Sequence, residues 1–226
     1  MGLPTIAVPQ YELTIPSTEK KVKYRPFLVK EEKVLLIALE SENQTNIINA
    51  IRTIISNCLY GDVNVDEMPT FDLEFIFLQL RAKSKGEVID LKYECPKCKT
   101  ELEVNINTED VQVIKTPEHT NTIELDTDLG VVMKYPTIET QQMIQDINEN
   151  KKSEIEGIFT MITRCIDYIY DKDNTYPLKD HTEKEVDDFI DSLTDVHFQK
   201  ISNFFNTMPV LKHEFQLNCT KKKKFY

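Results

Sequence analysis

Glycine is scarce in this chain, with only five in 226 residues, and no glycine-rich phosphate-binding loop can be drawn through them. No GxSxG elbow and no HExxH pair occurs either, so catalysis has no support in the sequence and the chain reads as non-enzymatic. Basic charge is also short. Against 38 acidic residues stand 27 lysines and arginines, a net charge of −11, whereas a general nucleic-acid binder needs a basic surface for its phosphate contacts. Lys221 to Lys224 is the sole locally basic stretch. No apolar run approaches the roughly 20 residues that span a bilayer. Five cysteines is an odd number for a disulfide framework, and no charged and apolar signal segment precedes them, so a reducing compartment is expected. The length suffices for one large domain or two small ones.

What the chain does have is a motif at residues 88–107, VIDLKYECPKCKTELEVNIN. Ile89, Leu91 and Tyr93 alternate with Asp90, Lys92 and Glu94, and Leu102, Val104 and Ile106 alternate with Glu101, Glu103 and Asn105. That is the period-2 pattern of two half-buried strands. Between them lies Cys95-Pro96-Lys97-Cys98. Two thiolates at this spacing at a turn can share one tetrahedral Zn²⁺, making half of a zinc ribbon; the alternative is two incidental thiols in a hairpin turn. A structural zinc needs four protein ligands, so the rest of the chain must supply two more.

Residues 1–23, with prolines and little periodicity, read as an extended arm that wraps the body or reaches a partner. The apolar run Val34 to Leu39 is expected as an internal strand or short buried helix; Arg25, Lys30, Glu31 and Glu32 beside it form either a solvated loop or a contact surface. Ser41 to Gln44 has capping-box form ahead of a helix whose stripe runs from Ile47 to Cys58. Thr70 can cap a second helix, apolar nearly all round from Phe71 to Leu80, expected to be buried on several sides or to lie at an interface. Strands are expected near Val111–Ile114, Ile123–Leu125 and Val131–Met133, with His119 in a loop lacking any second ligand. From residue 137 to 209 the pattern is entirely helical. Ser153 with Glu156 and Thr182 with Glu185 form capping boxes; one stripe runs Ile155, Ile158, Phe159, Ile162, Cys165, Ile166, Ile169, and a last helix carries Phe198, Ile201, Phe204 and Phe205. Cys58 and Cys165, on apolar stripes, read as packing residues, and His181 and His197, at helix starts, as solvent-facing.

The last segment, 210–226, returns to the metal question. Leu211, His213, Phe215 and Leu217 alternate with polar residues and lead to Cys219, as a strand feeding a second knuckle would. A second CxxC would then place cysteine at position 222, where Lys222 stands. An ammonium cation has no lone pair to offer. His213 is six residues from Cys219, roughly 20 Å along an extended strand, and reaches the same ion only if the chain folds sharply back.

These blocks together resemble the baseplate hub assembly proteins of T-even-like contractile-tailed bacteriophages. The resemblance rests on YRPFLVKEEKVLLIALES, the isoleucine-rich helix ending in Cys58, FDLEFIFLQLRAKSKGE running into CPKC, CIDYIYD, EVDDFIDSLT, FFNTMP and a closing half-knuckle, in the family's order over nearly the whole chain. It implies a zinc ribbon closed between distant parts of the chain, carried over onto Cys95, Cys98 and Cys219 with the fourth ligand missing, so zinc is expected to be weakly bound or lost. It also implies a chaperone or minor hub component that binds other baseplate hub proteins in the host cytoplasm, with no nucleic acid, membrane or small-molecule substrate. The alternative is a zinc-ribbon nucleic-acid or transcription accessory factor. The fold expected is α+β: a helix-rich body with a small antiparallel sheet and a zinc-ribbon-like CxxC hairpin, all in one structural unit.

Overall fold

The computed structural model describes residues 6–96, 98–149 and 154–216. Its first element is not an arm. Strands β1 (Tyr11–Thr14) and β2 (Lys21–Tyr24) pair antiparallel, Tyr11 opposite Tyr24 and Leu13 opposite Val22. Leu13, Ile15, Val22 and Tyr24 point inward and are buried, so from Tyr11 onward the chain expected as an extended arm over 1–23 is a packed hairpin. Each strand is only four residues long and Pro16 stands between them, so neither shows a long alternation. The turn is anchored from outside: the Ser17 N–H donates to Asp72 Oδ1 at 3.0 Å, and its hydroxyl donates to the other carboxylate oxygen.

Helix α1 (Val29–Glu40) runs into α2 (Gln44–Cys58), and β3 (Leu59–Tyr60) then joins the hairpin in the order β1-β2-β3. The cap of α2 is Asn43, whose side chain accepts the Asn46 N–H; Ser41, expected to open this helix, instead closes α1. Helix α3 (Thr70–Lys85) follows and stops at Gly86, whose φ of 107° favours glycine over residues bearing a Cβ. Ile54, Ile55 and Cys58 from α2 meet Leu73, Ile76 and Leu80 from α3 under the β1–β2 hairpin. Each large aliphatic side chain buried there contributes about 1.5–3 kcal/mol. Helix α3 is apolar nearly all round because it has neighbours on several sides.

Strands β4 (Val88–Glu94) and β5 (Glu101–Asn107) form a seven-pair antiparallel hairpin. After β6 (Gln112–Ile114), strands β7 (Thr122–Asp126) and β8 (Leu129–Met133) start a second core. Helices α4 (Ile138–Glu149) and α5 (Glu154–Cys165) come next. The region expected to be helical throughout then turns into strands β9 (Ile166–Asp171) and β10 (Thr175–Pro177), giving a four-stranded sheet in the order β10-β9-β8-β7. Ile166 and Ile169 continue the stripe of α5, but in Ile166-Asp-Tyr-Ile-Tyr-Asp171 the β-branched and aromatic residues pair with β8, Val131 opposite Ile169. Gly130 lies opposite Tyr170, whose ring occupies the space a side chain there would need.

Helices α6 (Glu183–Asp191) and α7 (Asp195–Thr207) cover this sheet together with α5, burying Ile162, Cys165, Ile190, Ile201 and Phe204. The Thr182–Glu185 capping box is present: the Glu185 N–H donates to Thr182 Oγ1 at 3.3 Å, and the Thr182 N–H to Glu185 Oε2 at 2.8 Å. The box expected at Ser153 lies outside the described residues. Residues 135–138 link the two cores. Tyr135 meets Phe71 edge-on at 5.1 Å, Pro136 O accepts the Thr70 N–H at 3.0 Å, and Ile138 enters the first core. The described chain is thus α+β, with helices packed on small antiparallel sheets.

Candidate contact surface and thiol pair

Helix α1 is built the reverse way round from an ordinary surface helix. Arg25, at the end of β2, donates from Nη2 to Glu31 Oε1 at 2.9 Å and to Asn57 O at 3.0 Å. Glu31 Oε2 also accepts the Leu28 N–H at 2.8 Å. The Glu31 side chain is therefore only 2% exposed, and the helix turns this carboxylate, Leu35 and Ala38 toward the body. Burial pushes the Glu31 carboxyl up, but the hydrogen bonds from Arg25 and Leu28 outweigh it and hold the group below the usual carboxylate range.

The opposite face carries Val29, Val34, Leu36, Ile37 and Leu39, at 81, 41, 50, 57 and 49% exposure. The run expected as an internal strand or buried helix is thus an exposed helix, because an ion pair has taken the inward face. Arg25 and Glu31 are neither a solvated loop nor an outer contact surface. Of the two readings of the all-apolar stretch Phe71 to Leu80, burial on several sides is the one that holds, since Phe71, Leu73, Ile76 and Leu80 are buried. A continuous apolar run carries no period to say which side faces out, and Glu31 beside it is the one local sign of how α1 sits.

The second feature is the β4–β5 turn. The Cys95 N–H donates to Thr100 O at 2.9 Å and the Lys99 N–H to Cys95 O at 2.8 Å, so the loop closes on itself. Cys95 is buried, and Cys98, half-buried, donates from Sγ to Thr100 Oγ1 at 3.2 Å. Among the described residues no group of three or more His, Cys, Asp or Glu side chains is gathered to hold a metal ion. The zinc-ribbon-like hairpin expected here is therefore, over those residues, a plain antiparallel hairpin with two thiols in its turn. Cys219, Lys222 and the basic stretch Lys221 to Lys224 lie outside the described residues.

The chain leading toward Cys219 does approach this hairpin. Strand β11 (Val210–Lys212) pairs with β6, Leu211 opposite Val113. Pairing ends there, short of the Leu211–Leu217 strand expected, because β6 offers only three residues. His213 Nδ1 lies 3.1 Å from Asp110 O, so this ring nitrogen donates to a backbone carbonyl. Phe215 then sits 5.6 Å from Tyr93, two positions before Cys95.

The remaining candidates are structural. Cys58 and Cys165 are fully buried, and burial pushes their thiols up to about 11 and about 12. His119 lies between Thr207 Oγ1 and the Tyr135 hydroxyl, each at 3.0 Å, against the Phe204 ring, and burial lowers its pKa. His181 is exposed, and His197 is half-buried as part of the cap of α7. A surface cleft of about 570 Å³ beside α5 and α6 is lined by both signs of charge, and its Arg164 and Glu183 pair at 3.2 Å. No helix among the described residues is long and apolar enough to cross a membrane.

The described residues thus hold an exposed apolar face on α1, set by a buried ion pair, and a hairpin with two thiols in its turn that Phe215, beyond β11, touches at Tyr93. The family is shown by sequence: the profile described as "T4 bacteriophage base plate protein" matches residues 8–225, and the chain belongs to that family. Within curated proteins it is 25% identical over 187 residues to "Baseplate hub assembly protein gp26" of Enterobacteria phage T4, covering 82% of this chain and 78% of that protein. No solved structure matches the chain.

Proposed function

We propose that this protein helps the central hub of a contractile-tail baseplate to assemble, as a chaperone or minor hub component that binds other hub proteins in the host cytoplasm and catalyses no reaction. The observation that carries the reading is the similarity to a hub assembly protein over most of both chains. The exposed apolar residues of the fold support a role exercised through protein contact.

The proposal extends to zinc. Cys95 and Cys98 would supply two thiolates and Cys219 a third, and the metal would act as a structural cross-link between the hairpin and the chain after β11. Phe215 touches Tyr93, and the four residues from Phe215 to Cys219 can span about 13 Å when extended. That reach supports Cys219 as the third ligand. With three thiolates and no fourth protein donor, binding would be weak and open to chelators.

The test of function is affinity purification of the tagged full chain from infected cells, with identification of what accompanies it. Baseplate hub proteins are the expected companions. Recovery of nucleic acid or host polymerase without any tail protein would overturn the reading.

A further inference from the structure

The outer face of α1 matches a second copy of itself. Val29, Lys33, Leu36 and Glu40 recur at spacings of four, three and four, the repeat with which one helix seats against another. Ile37 completes the stripe and Val34 and Leu39 flank it. At their exposures the five apolar residues offer on the order of 400 Å² of apolar surface, a size at which a patch marks a binding face. A standard interface buries about 800 Å² per partner, a little over half of it apolar. Helix α1 therefore supplies the apolar portion of one such interface.

Charge selects the occupant. Of the charged residues on α1, Glu31 is bound by Arg25 and Lys30, and Glu32 by Lys85. Lys33 and Glu40 are exposed and make no ion pair among the described residues. They carry opposite signs on one stripe and are spaced equally on either side of the Leu36–Ile37 step. A two-fold axis through that step runs the two helices antiparallel. It sets Leu36 against the partner's Ile37, Val34 against the partner's Leu39, and Lys33 against the partner's Glu40, with each contact made twice.

We propose that the Val29–Glu40 helix is the seat of a symmetric dimer of this chain, closed by two reciprocal Lys33–Glu40 ion pairs around a Leu36–Ile37 centre. The inference goes beyond the baseplate reading and does not rest on it.

The test is sedimentation of the purified full chain across a wide concentration range. The expected result is a concentration-dependent species of twice the chain mass. Lys33→Glu or Glu40→Lys alone places like charges together at both ends of the interface and should weaken the dimer roughly fivefold or more. The double variant Lys33→Glu/Glu40→Lys should restore it, which also shows that the single variants fold. Leu36→Glu with Ile37→Glu should abolish it. A chain that stays monomeric at every concentration overturns the proposal, and so does a dimer that ignores the single reversals or is not restored by the swap. If the chain is monomeric and the Leu36→Glu/Ile37→Glu variant loses a hub protein in the pull-down, the face belongs to that protein. That result overturns the dimer and leaves the assembly reading standing.

Discussion

Arg25 and Glu31 form an ion pair at 2.9 Å with both side chains largely out of solvent, at 11 and 2% exposure, and this pair fixes which way α1 faces. Removing one member of a buried pair leaves the other charge uncompensated, at a cost of about 3–5 kcal/mol. Arg25→Ala is expected to destabilise by that amount in denaturant titration, and adding Glu31→Gln should recover much of it. The pair also sets an acid limb. Because the folded-state pKa of Glu31 lies below its unfolded value, its contribution is complete above the ordinary carboxylate range and disappears as pH falls through the lowered value. Asp72 acts in the opposite sense, since burial raises its pKa against the pull of the Ser17 bonds. Glu31→Gln should therefore flatten the loss of stability in acid, as followed by unfolding at a series of pH values.

How the sequence could and could not reveal this follows from the same helix. Helices α2 and α3 were legible from their apolar residues, the β4–β5 hairpin from its alternation and the start of α6 from its Thr182 cap, whereas the caps expected at Ser41 and Thr70 fall instead at Asn43 and Pro69. The orientation of α1 depends on a bond between Glu31 and an arginine six positions earlier that is itself held by Asn57, thirty-two positions from it. No local pattern records that. Strand β9 was hidden for another reason. Ile166 and Ile169 satisfy the helical spacing inherited from α5, while Ile166, Tyr168 and Tyr170 satisfy the spacing of a strand, and only the partner β8 decides. Cys95 and Cys98 stand close in sequence between β4 and β5, whereas a third ligand from a distant segment is a tertiary matter.

Cys58 and Cys165 are expected to be chemically silent. With thiols pushed up to about 11 and about 12, almost no thiolate exists at neutral pH. In the native protein a thiol-specific reagent should leave both unmodified, and both should react after denaturation. Replacing either by alanine should cost about 1 kcal/mol through lost burial and a small cavity, measured by urea unfolding, with no change in metal content.

For zinc, the expectation is a substoichiometric content on purification that a mild chelator removes, measured by elemental analysis. Cys95→Ser should abolish what is bound. Lys222→Cys should raise affinity by supplying a fourth thiolate. Tight stoichiometric zinc in the native chain, or no gain from Lys222→Cys, would refute the three-thiolate site.

Gly130 predicts a steric effect. A Cβ there would stand 2.8 Å from Ile123 O and collide with the end of the Tyr170 ring. Gly130→Ala should destabilise by about 1–3 kcal/mol, the usual cost of overpacking. Gly130→Ala combined with Tyr170→Ala frees the ring side only, so calorimetry should show partial recovery.

The contact between Tyr93 and Phe215 has a consequence for the order of folding. The β4–β5 hairpin closes from neighbouring chain, but its meeting with Phe215 depends on β11 pairing with β6 across the whole of the second core. During synthesis the hairpin is complete long before residues 210–215 emerge, and contacts of such separation in sequence form late. Until then the Tyr93 ring lacks this partner. The Tyr93 side of the hairpin is therefore among the last parts of this region to be closed over in the nascent chain.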